Sequence, residues 1–110
     1  MAKLSNYTII DFPTKAQLNL FLKYVEQRNK DKFVIQEMKK AGLIKRVVSQ
    51  IWNATNAYRI GITYEYKDEK SFTKFQVVLK IFLEKSETKE LLVGAKISSS
   101  RGIVLFENDF

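Results

Sequence analysis

The 110-residue sequence contains no histidine and no cysteine. The missing side chains exclude Ser-His-Asp triads, cysteine nucleophiles, ordinary zinc sites and disulfides. Carboxylates and lysines remain, but the acids of the C-terminal half fall mostly in predicted turns. We therefore expect a protein that is not an enzyme and that uses no metal and no cofactor.

Proline occurs once, and the four glycines are isolated from one another. No linker and no glycine-rich phosphate loop is therefore predicted. No apolar run reaches the length of a membrane span, and residues 1–6 contain no continuous apolar stretch of the kind found in signal peptides. With a hydrophobic content of 45%, we expect one compact domain over residues 1–110, in the cytoplasm and away from membranes.

Positive charge is unevenly distributed along the chain. The net charge is +7, and residues 1–50 carry ten Lys/Arg against four Asp/Glu, whereas residues 51–110 carry nine against eight. Only four of the nineteen cations are arginines. Lysine is a hydrated point charge, so this balance favours sequence-independent attraction to an acidic partner over base-specific contacts.

The N-terminal half shows one strand and two helices. Residues 6–12 are predicted to form a strand that Pro13 ends. Thr14 and Gln17 then have the spacing of a capping box, before an amphipathic helix with Leu18 and Phe21 on its inner face. Asp31 is a candidate N-cap for a second helix, and Gly42 stands where a helix ends in a left-handed residue.

Residues 43–52 fit either a third helix or a strand. The turn-forming residues 53–56 follow, and from residue 57 the sequence alternates apolar and polar side chains with polar turns between the runs. We interpret residues 57–66, 75–83, 91–97 and 103–106 as strands, with residues 98–102 as a turn. The expected fold class is α+β: an N-terminal strand and two or three helices, followed by an antiparallel β-meander that curls.

The basic segment between Arg28 and Arg46 predicts a nucleic-acid-binding regulatory protein, with DNA and RNA both open. If residues 43–52 are helical, the segment resembles a helix-turn-helix whose second helix carries the contacts. If they form a strand, an RNA-binding curled sheet is expected. The predicted contact residues are Lys39, Lys40, Lys45, Arg46, Ser49, Gln50 and Arg59.

The alternative class is a protein-binding inhibitor or adaptor, or an oligomeric accessory protein of a bacterium or phage. In the predicted meander, Val78, Phe82 and Leu92 lie on the outer face of the sheet, opposite the core. An apolar outer face of this kind would bind a protein partner or a second copy in a homodimer.

Overall fold

Two pairs of helices connect the strands in the computed structural model, which describes residues 3–53, 55 and 57–110. The strands are β1 (Leu4–Phe12), β2 (Leu43–Gln50), β3 (Tyr58–Tyr66) and β4 (Lys96–Ile103). The connection from β1 to β2 contains helices α1 (Lys15–Asn29) and α2 (Lys32–Lys40), and the connection from β3 to β4 contains α3 (Glu69–Leu83) and α4 (Ser86–Leu91). The α+β class, the N-terminal strand and the two helices after it are confirmed.

The four strands form one antiparallel sheet in the order β2-β3-β1-β4. Thr8 at the middle of β1 lies opposite Ile62 of β3 on one side and Ser99 of β4 on the other. A register shift between Leu43 and Lys45 marks the start of β2. The two edge strands do not pair with each other, so the sheet stays open and does not close into the curled form that was expected.

Side chains alternate between the two faces of the sheet. Even-numbered residues of β1, β2 (from Arg46) and β3, and odd-numbered residues of β4, face the helices and include the most buried positions, such as Ile60 and Tyr66. Leu43, before the register shift in β2, also packs against the core. The opposite side is called here the open sheet face. It consists of the odd-numbered residues of β1, β2 (from Lys45) and β3, together with the even-numbered residues of β4.

Helix ends follow the capping signals of the sequence. Thr14 Oγ1 accepts a hydrogen bond from the backbone N–H of Gln17 at 3.2 Å, and Asp31 Oδ1 accepts from Phe33 and Val34. The Gln17 side chain does not complete a capping box, because its amide donates to the carbonyl groups of Leu91 and Val93 at 2.7 Å each. It thereby ties the start of α1 to the end of α4.

The core lies between the helices and the sheet. Leu18 and Phe21 of α1 and Phe75 of α3 are buried against the inward residues of β3. Aromatic rings dominate the packing: the ring centroid of Phe75 is 5.6 Å from that of Tyr64 and 5.5 Å from that of Tyr66. Tyr64 and Tyr66 thus belong to the core.

Residues 75–83 form most of helix α3, so the strand predicted there is wrong. Asp68 caps the helix by accepting from the backbone N–H of Ser71 at 2.8 Å. In the alternating pattern Val77 and Ile81 should have been buried, yet they are 62% and 58% exposed, whereas Phe75 is 1% exposed. Because apolar residues occupy nearly every position, the segment satisfied both periods, and the cap together with packing against the sheet determines the helix.

The C-terminal meander is also wrong in its details. Residues 86–89, predicted as a turn, belong to α4, and residues 98–102 are part of β4. Pairing with β1 converts the serine-rich segment into a strand, and the Oγ atoms of Thr8 and Ser99 are 2.9 Å apart. The predicted turn at residues 53–56 falls between β2 and β3, and two of its residues, Ala54 and Asn56, lie outside the described residues. Met1 and Ala2, which belong to the segment 1–6 considered above for a signal peptide, also lie outside the described residues.

Residues 43–50 form strand β2, which decides between the two architectures left open by the sequence. A helix-turn-helix is excluded because its second helix would have to occupy this segment. Gly42 does end α2 as predicted, with a positive φ of 92°. In the described ranges, no helix is both long enough and apolar enough to cross a bilayer.

Candidate ligand-binding site

A cavity of about 320 Å³ lies between the helical layer and the sheet. Its apolar wall contains Phe21 of α1, Val34 and Met38 of α2, Leu79 and Phe82 of α3, and Ile62 of β3. The volume is about twice the roughly 150 Å³ that holds one benzene molecule. A pocket of this size and composition accommodates a two-ring aromatic molecule or a medium-length acyl chain.

Polar side chains line the part of the cavity where β1 and β4 form its wall. Asn6 is buried, and its Nδ2 donates to Thr8 Oγ1 at 3.0 Å; Thr8 in turn shares a hydrogen bond with Ser99. On the helical side, the Tyr24 hydroxyl lies 3.1 Å from Thr88 Oγ1. These hydrogen bonds hold the polar groups in fixed orientations within an otherwise apolar cavity.

Three arginines line the cavity: Arg28, Arg46 and Arg101. The guanidinium carbon of Arg28 lies 5.0 Å from the centroid of the Tyr24 ring, and its Nη2 is 3.8 Å from a carboxylate oxygen of Glu87. Arg101 lies over the ring of Phe72 at 4.8 Å. No aspartate, glutamate or lysine is among the described residues that line the cavity, so the charged side chains of this lining are all positive.

Two buried tyrosines on β3 retain their protons in this environment. Burial raises the pKa of the Tyr64 hydroxyl, although the charge of Arg46 opposes the effect. Burial likewise raises the pKa of Tyr66, and the nearby Tyr64 adds to the shift. Since arginine is also always protonated, these groups act as hydrogen-bond donors near pH 7 and not as bases.

The predicted nucleic-acid contacts are divided among several surfaces. Lys39 and Lys40 lie in the last turn of α2, Lys45, Ser49 and Arg59 on the open sheet face, and Arg46 and Gln50 on the helix-facing side. Three of them, Lys39, Lys45 and Arg46, do come together in a groove between α2 and the edge strand β2.

Arg59 has a partner on the open sheet face. Its Nε donates to Asp11 Oδ1 at 2.5 Å, and its Nη2 donates to Asp11 Oδ2 at 3.3 Å. The two residues are directly opposed across β1 and β3. This hydrogen bond raises the pKa of the Arg59 guanidinium above its usual value.

The apolar residues predicted for an outer sheet face are not on the sheet. Val78 and Phe82 belong to α3 and Leu92 follows α4, because residues 75–83 are helical. Val78 and Leu92 pack against the core, and Phe82 and Leu92 line the cavity. The interface prediction is therefore wrong in its geometry.

Sequence reasoning missed several cavity residues, among them Asn6, Thr8, Ser99 and Arg101. Asn6 and Thr8 lie in a strand that was correctly predicted, but β1 carries polar residues on both faces and gives no signal of which face is enclosed. Ser99 and Arg101 fell in a segment predicted as a turn. Their inward orientation follows from pairing with β1, which alternation within one segment does not reveal.

A family model described as "Domain of unknown function (DUF6974)" matches residues 1–104. The chain belongs to this family. No curated protein matches the chain.

Two solved structures of dimeric ferredoxin-like proteins from an uncultured marine organism are similar over the full length of the chain. The first is 31% identical, with a TM-score of 0.89, and the match covers 98% of this chain and 100% of that one. The second is 26% identical, with a TM-score of 0.85, covering 100% of this chain and 94% of that one. The fold is thus ferredoxin-like, in agreement with the strand order and helix placement.

A more distant likeness concerns a monooxygenase of Streptomyces coelicolor in complex with nanaomycin D. That protein is 12% identical with a TM-score of 0.62, and the match covers 98% of this chain and 94% of that one. At this identity the likeness shows the shared fold alone.

These comparisons overturn the nucleic-acid prediction. The similar full-length structures are of dimeric ferredoxin-like proteins, the more distant one is of a monooxygenase, and none of the three is described as binding nucleic acid. The basic segment suggested nucleic-acid binding, but several of its cations have local roles in the fold. Lys39 and Lys40 lie at the negative end of the α2 dipole, and Arg46 donates to Asn29 and lines the cavity.

Proposed function

We propose that the chain forms a homodimer through the open sheet face, and that each protomer binds a small, largely apolar molecule in the cavity without catalysing a reaction. The observation that carries the proposal is the cavity itself, about 320 Å³ between two packed layers, with aromatic and aliphatic walls and a few fixed polar groups. This combination is typical of small-molecule sites.

Binding without catalysis is supported by the titratable groups of the cavity. A general base needs a pKa near the working pH, so that it can accept a proton and release it again. The described lining offers arginines and tyrosines, and burial raises the pKa of Tyr64 and Tyr66 away from neutrality. These groups can orient a ligand by donating hydrogen bonds, but they are poor proton acceptors near pH 7.

Homodimerisation is supported by the exposed side chains of the open sheet face. Tyr7 and Val47 are 43% and 40% exposed there, and the helices of the protomer cover only the opposite face. The Tyr7 ring lies across Gly61, where an added Cβ would come within 2.3 Å of the Tyr7 hydroxyl oxygen. Two similar proteins are described as dimeric.

The dimer is tested by Tyr7→Asp, which places a charge at the centre of the proposed interface. Phe33→Asp is the matched control, because Phe33 is 69% exposed on α2 and lies away from the open sheet face. Light scattering after size exclusion should give a dimer for the wild type and Phe33→Asp, and a folded monomer for Tyr7→Asp. A monomeric wild type, or a Tyr7→Asp dimer as tight as the wild type, refutes the interface.

The cavity is tested by Leu79→Trp, which fills it with an indole ring. Val77→Trp is the control on the same helix, since Val77 is 62% exposed. Calorimetric titration with 2-naphthylmethanol and 2-naphthoate should show binding to the wild type and Val77→Trp, and loss of binding to Leu79→Trp. If neither probe binds the wild type, or both still bind Leu79→Trp when circular dichroism shows it folded, the cavity is not the site.

A further inference from the structure

One transverse row of the sheet brings together the most polar helix-facing residues. The strand registers place Arg46 opposite Tyr64, Tyr64 opposite Asn6, and Asn6 opposite Arg101. This polar row therefore crosses all four strands from β2 to β4. Each of its four residues lines the cavity.

The next rows along the sheet become progressively apolar. Beyond the polar row come Thr8 and Ser99 with Val48 and Ile62, and then Ile10 and Ile97 with Ile60 and, at the β2 edge, Gln50. Of this last row, the apolar Ile10 and Ile97 line the cavity. A ligand lying along the strands would thus meet donors and positive charge at one end and hydrocarbon at the other. The floor of the cavity is amphipathic in the direction of the strands.

The two arginines that end the polar row differ from the other arginines of the chain. Arg28 lies 3.8 Å from Glu87, and Arg59 is bonded to Asp11. Among the described residues, Arg46 and Arg101 make no ion pair: Arg46 donates to the neutral amide oxygen of Asn29, and Arg101 lies over Phe72. Each guanidinium has five N–H donors, so donors remain for a ligand.

Tyr64 stands between Arg46 and Asn6 as a further donor. It is 9% exposed, and burial raises the pKa of its hydroxyl, so it remains a neutral phenol. Asn6 is fixed by its bond to Thr8. Positive charge at both ends, a donor between them and no acid in the described lining form an environment that stabilises an anion.

We infer that the ligand is an apolar acid whose anionic group, most simply a carboxylate, binds at the Arg46–Tyr64–Asn6–Arg101 row while its hydrocarbon part fills the apolar remainder of the cavity. This inference rests on the proposed binding function. It adds the chemical class of the ligand and the end of the cavity at which its charge lies.

The test compares an acid with a neutral analogue of the same shape. Binding of 2-naphthoate and 2-naphthylmethanol to the full chain is measured by calorimetry, in the wild type and in the double variant Arg46→Gln/Arg101→Gln. The control variant Lys23→Gln/Lys74→Gln removes the same charge from exposed positions of α1 and α3. Circular dichroism verifies that both variants are folded.

We expect the wild type and the control to bind the acid roughly tenfold to a hundredfold more tightly than the alcohol, as charge-assisted hydrogen bonds allow. The Arg46→Gln/Arg101→Gln variant should lose this preference and keep its affinity for the alcohol. Equal wild-type affinities for the two probes, or a preference that survives the double substitution, overturn the inference and leave the binding cavity standing. If neither probe binds the wild type, the proposed function and the inference fall together.

Discussion

Gly42→Ala should be one of the most destabilising single-methyl additions in this protein. Gly42 has a φ of 92°, a backbone conformation that L-residues with a Cβ rarely adopt. A Cβ at this position would also lie 2.1 Å from Ser71 Oγ and 2.4 Å from Ser71 Cβ. Ser71 is buried in the first turn of α3, and its Oγ and backbone N–H both donate to Asp68. It therefore has little freedom to move aside.

The expected cost combines two effects. The left-handed backbone costs a residue with a Cβ about 1–2 kcal/mol. Displacing Ser71, or shifting α3 away from the end of α2, adds an overpacking cost of about 1–3 kcal/mol. Gly42→Ala should thus lower the free energy of unfolding by about 2–5 kcal/mol, a large fraction of the roughly 5–15 kcal/mol that holds a domain of this size.

Substitutions at two other glycines separate the backbone cost from the steric cost. Gly94 also has a positive φ, 74°, but a Cβ there would meet only Pro13 at 3.5 Å, so Gly94→Ala should cost the backbone term alone, about 1–2 kcal/mol. Gly102 has nothing within 4 Å of an added Cβ, and Gly102→Ala should change stability by less than about 0.5 kcal/mol. Adding Ser71→Gly to Gly42→Ala should recover about 1–3 kcal/mol relative to the sum of the single variants, because the overlap is removed.

Urea unfolding followed by far-ultraviolet circular dichroism measures these differences at one fixed protein concentration, since dimerisation would make the midpoint concentration-dependent. Trp52 is 91% exposed, which makes its fluorescence a poor reporter. Equal losses for Gly42→Ala and Gly94→Ala would refute the steric part of the reasoning. Additive effects of Gly42→Ala and Ser71→Gly would refute the assigned contact.

Two further predictions concern the core and the cap of α3. Phe75→Ala should lower the free energy of unfolding by about 3–5 kcal/mol, because Phe75 is 1% exposed between Tyr64 and Tyr66; a loss below about 1 kcal/mol in urea unfolding would contradict that packing. The hydrogen bonds from Ser71 hold the pKa of Asp68 below its ordinary value of 3.8, so the cap contributes stability above that value and loses it as the pH falls through the lower, folded pKa. Asp68→Asn should therefore lower the free energy of unfolding at pH 7, and this free energy should then decrease less steeply between about pH 5 and pH 2 than in the wild type. If the free energy of unfolding decreases equally with pH in both proteins, the assignment is contradicted.

Residues 6–42 were predictable because their local signals are unambiguous. Asp31 and Gly42 mark the two ends of α2, and Leu18 and Phe21 have only the helical spacing. Residues 75–83 could not be assigned in this way, because an almost continuous apolar run fits both a strand and a helix. The decision there is made by the Asp68 cap and by burial of Phe75 under the sheet, a tertiary contact that no local window contains.

The cavity was harder to predict than the fold. Its polar row joins Arg46, Tyr64, Asn6 and Arg101 from four strands, and the strand order and register together bring them side by side. Positive charge is indeed concentrated in residues 1–50, but this asymmetry does not indicate to which face of the sheet each cation points. Arg46 faces the cavity whereas the adjacent Lys45 faces the other side of the sheet, since a strand turns successive side chains to opposite faces.

The most direct test of the account is to locate a bound apolar acid by nuclear magnetic resonance. With 2-naphthoate added to the isotopically labelled protein, intermolecular Overhauser contacts should connect the naphthyl protons to methyl groups of Ile62, Val48 and Leu79. The Arg46 and Arg101 side-chain signals should shift in the same titration. Contacts confined to Tyr7 and Val47 on the open sheet face, or no contacts at saturating ligand, would contradict the assignment of the cavity as the binding site.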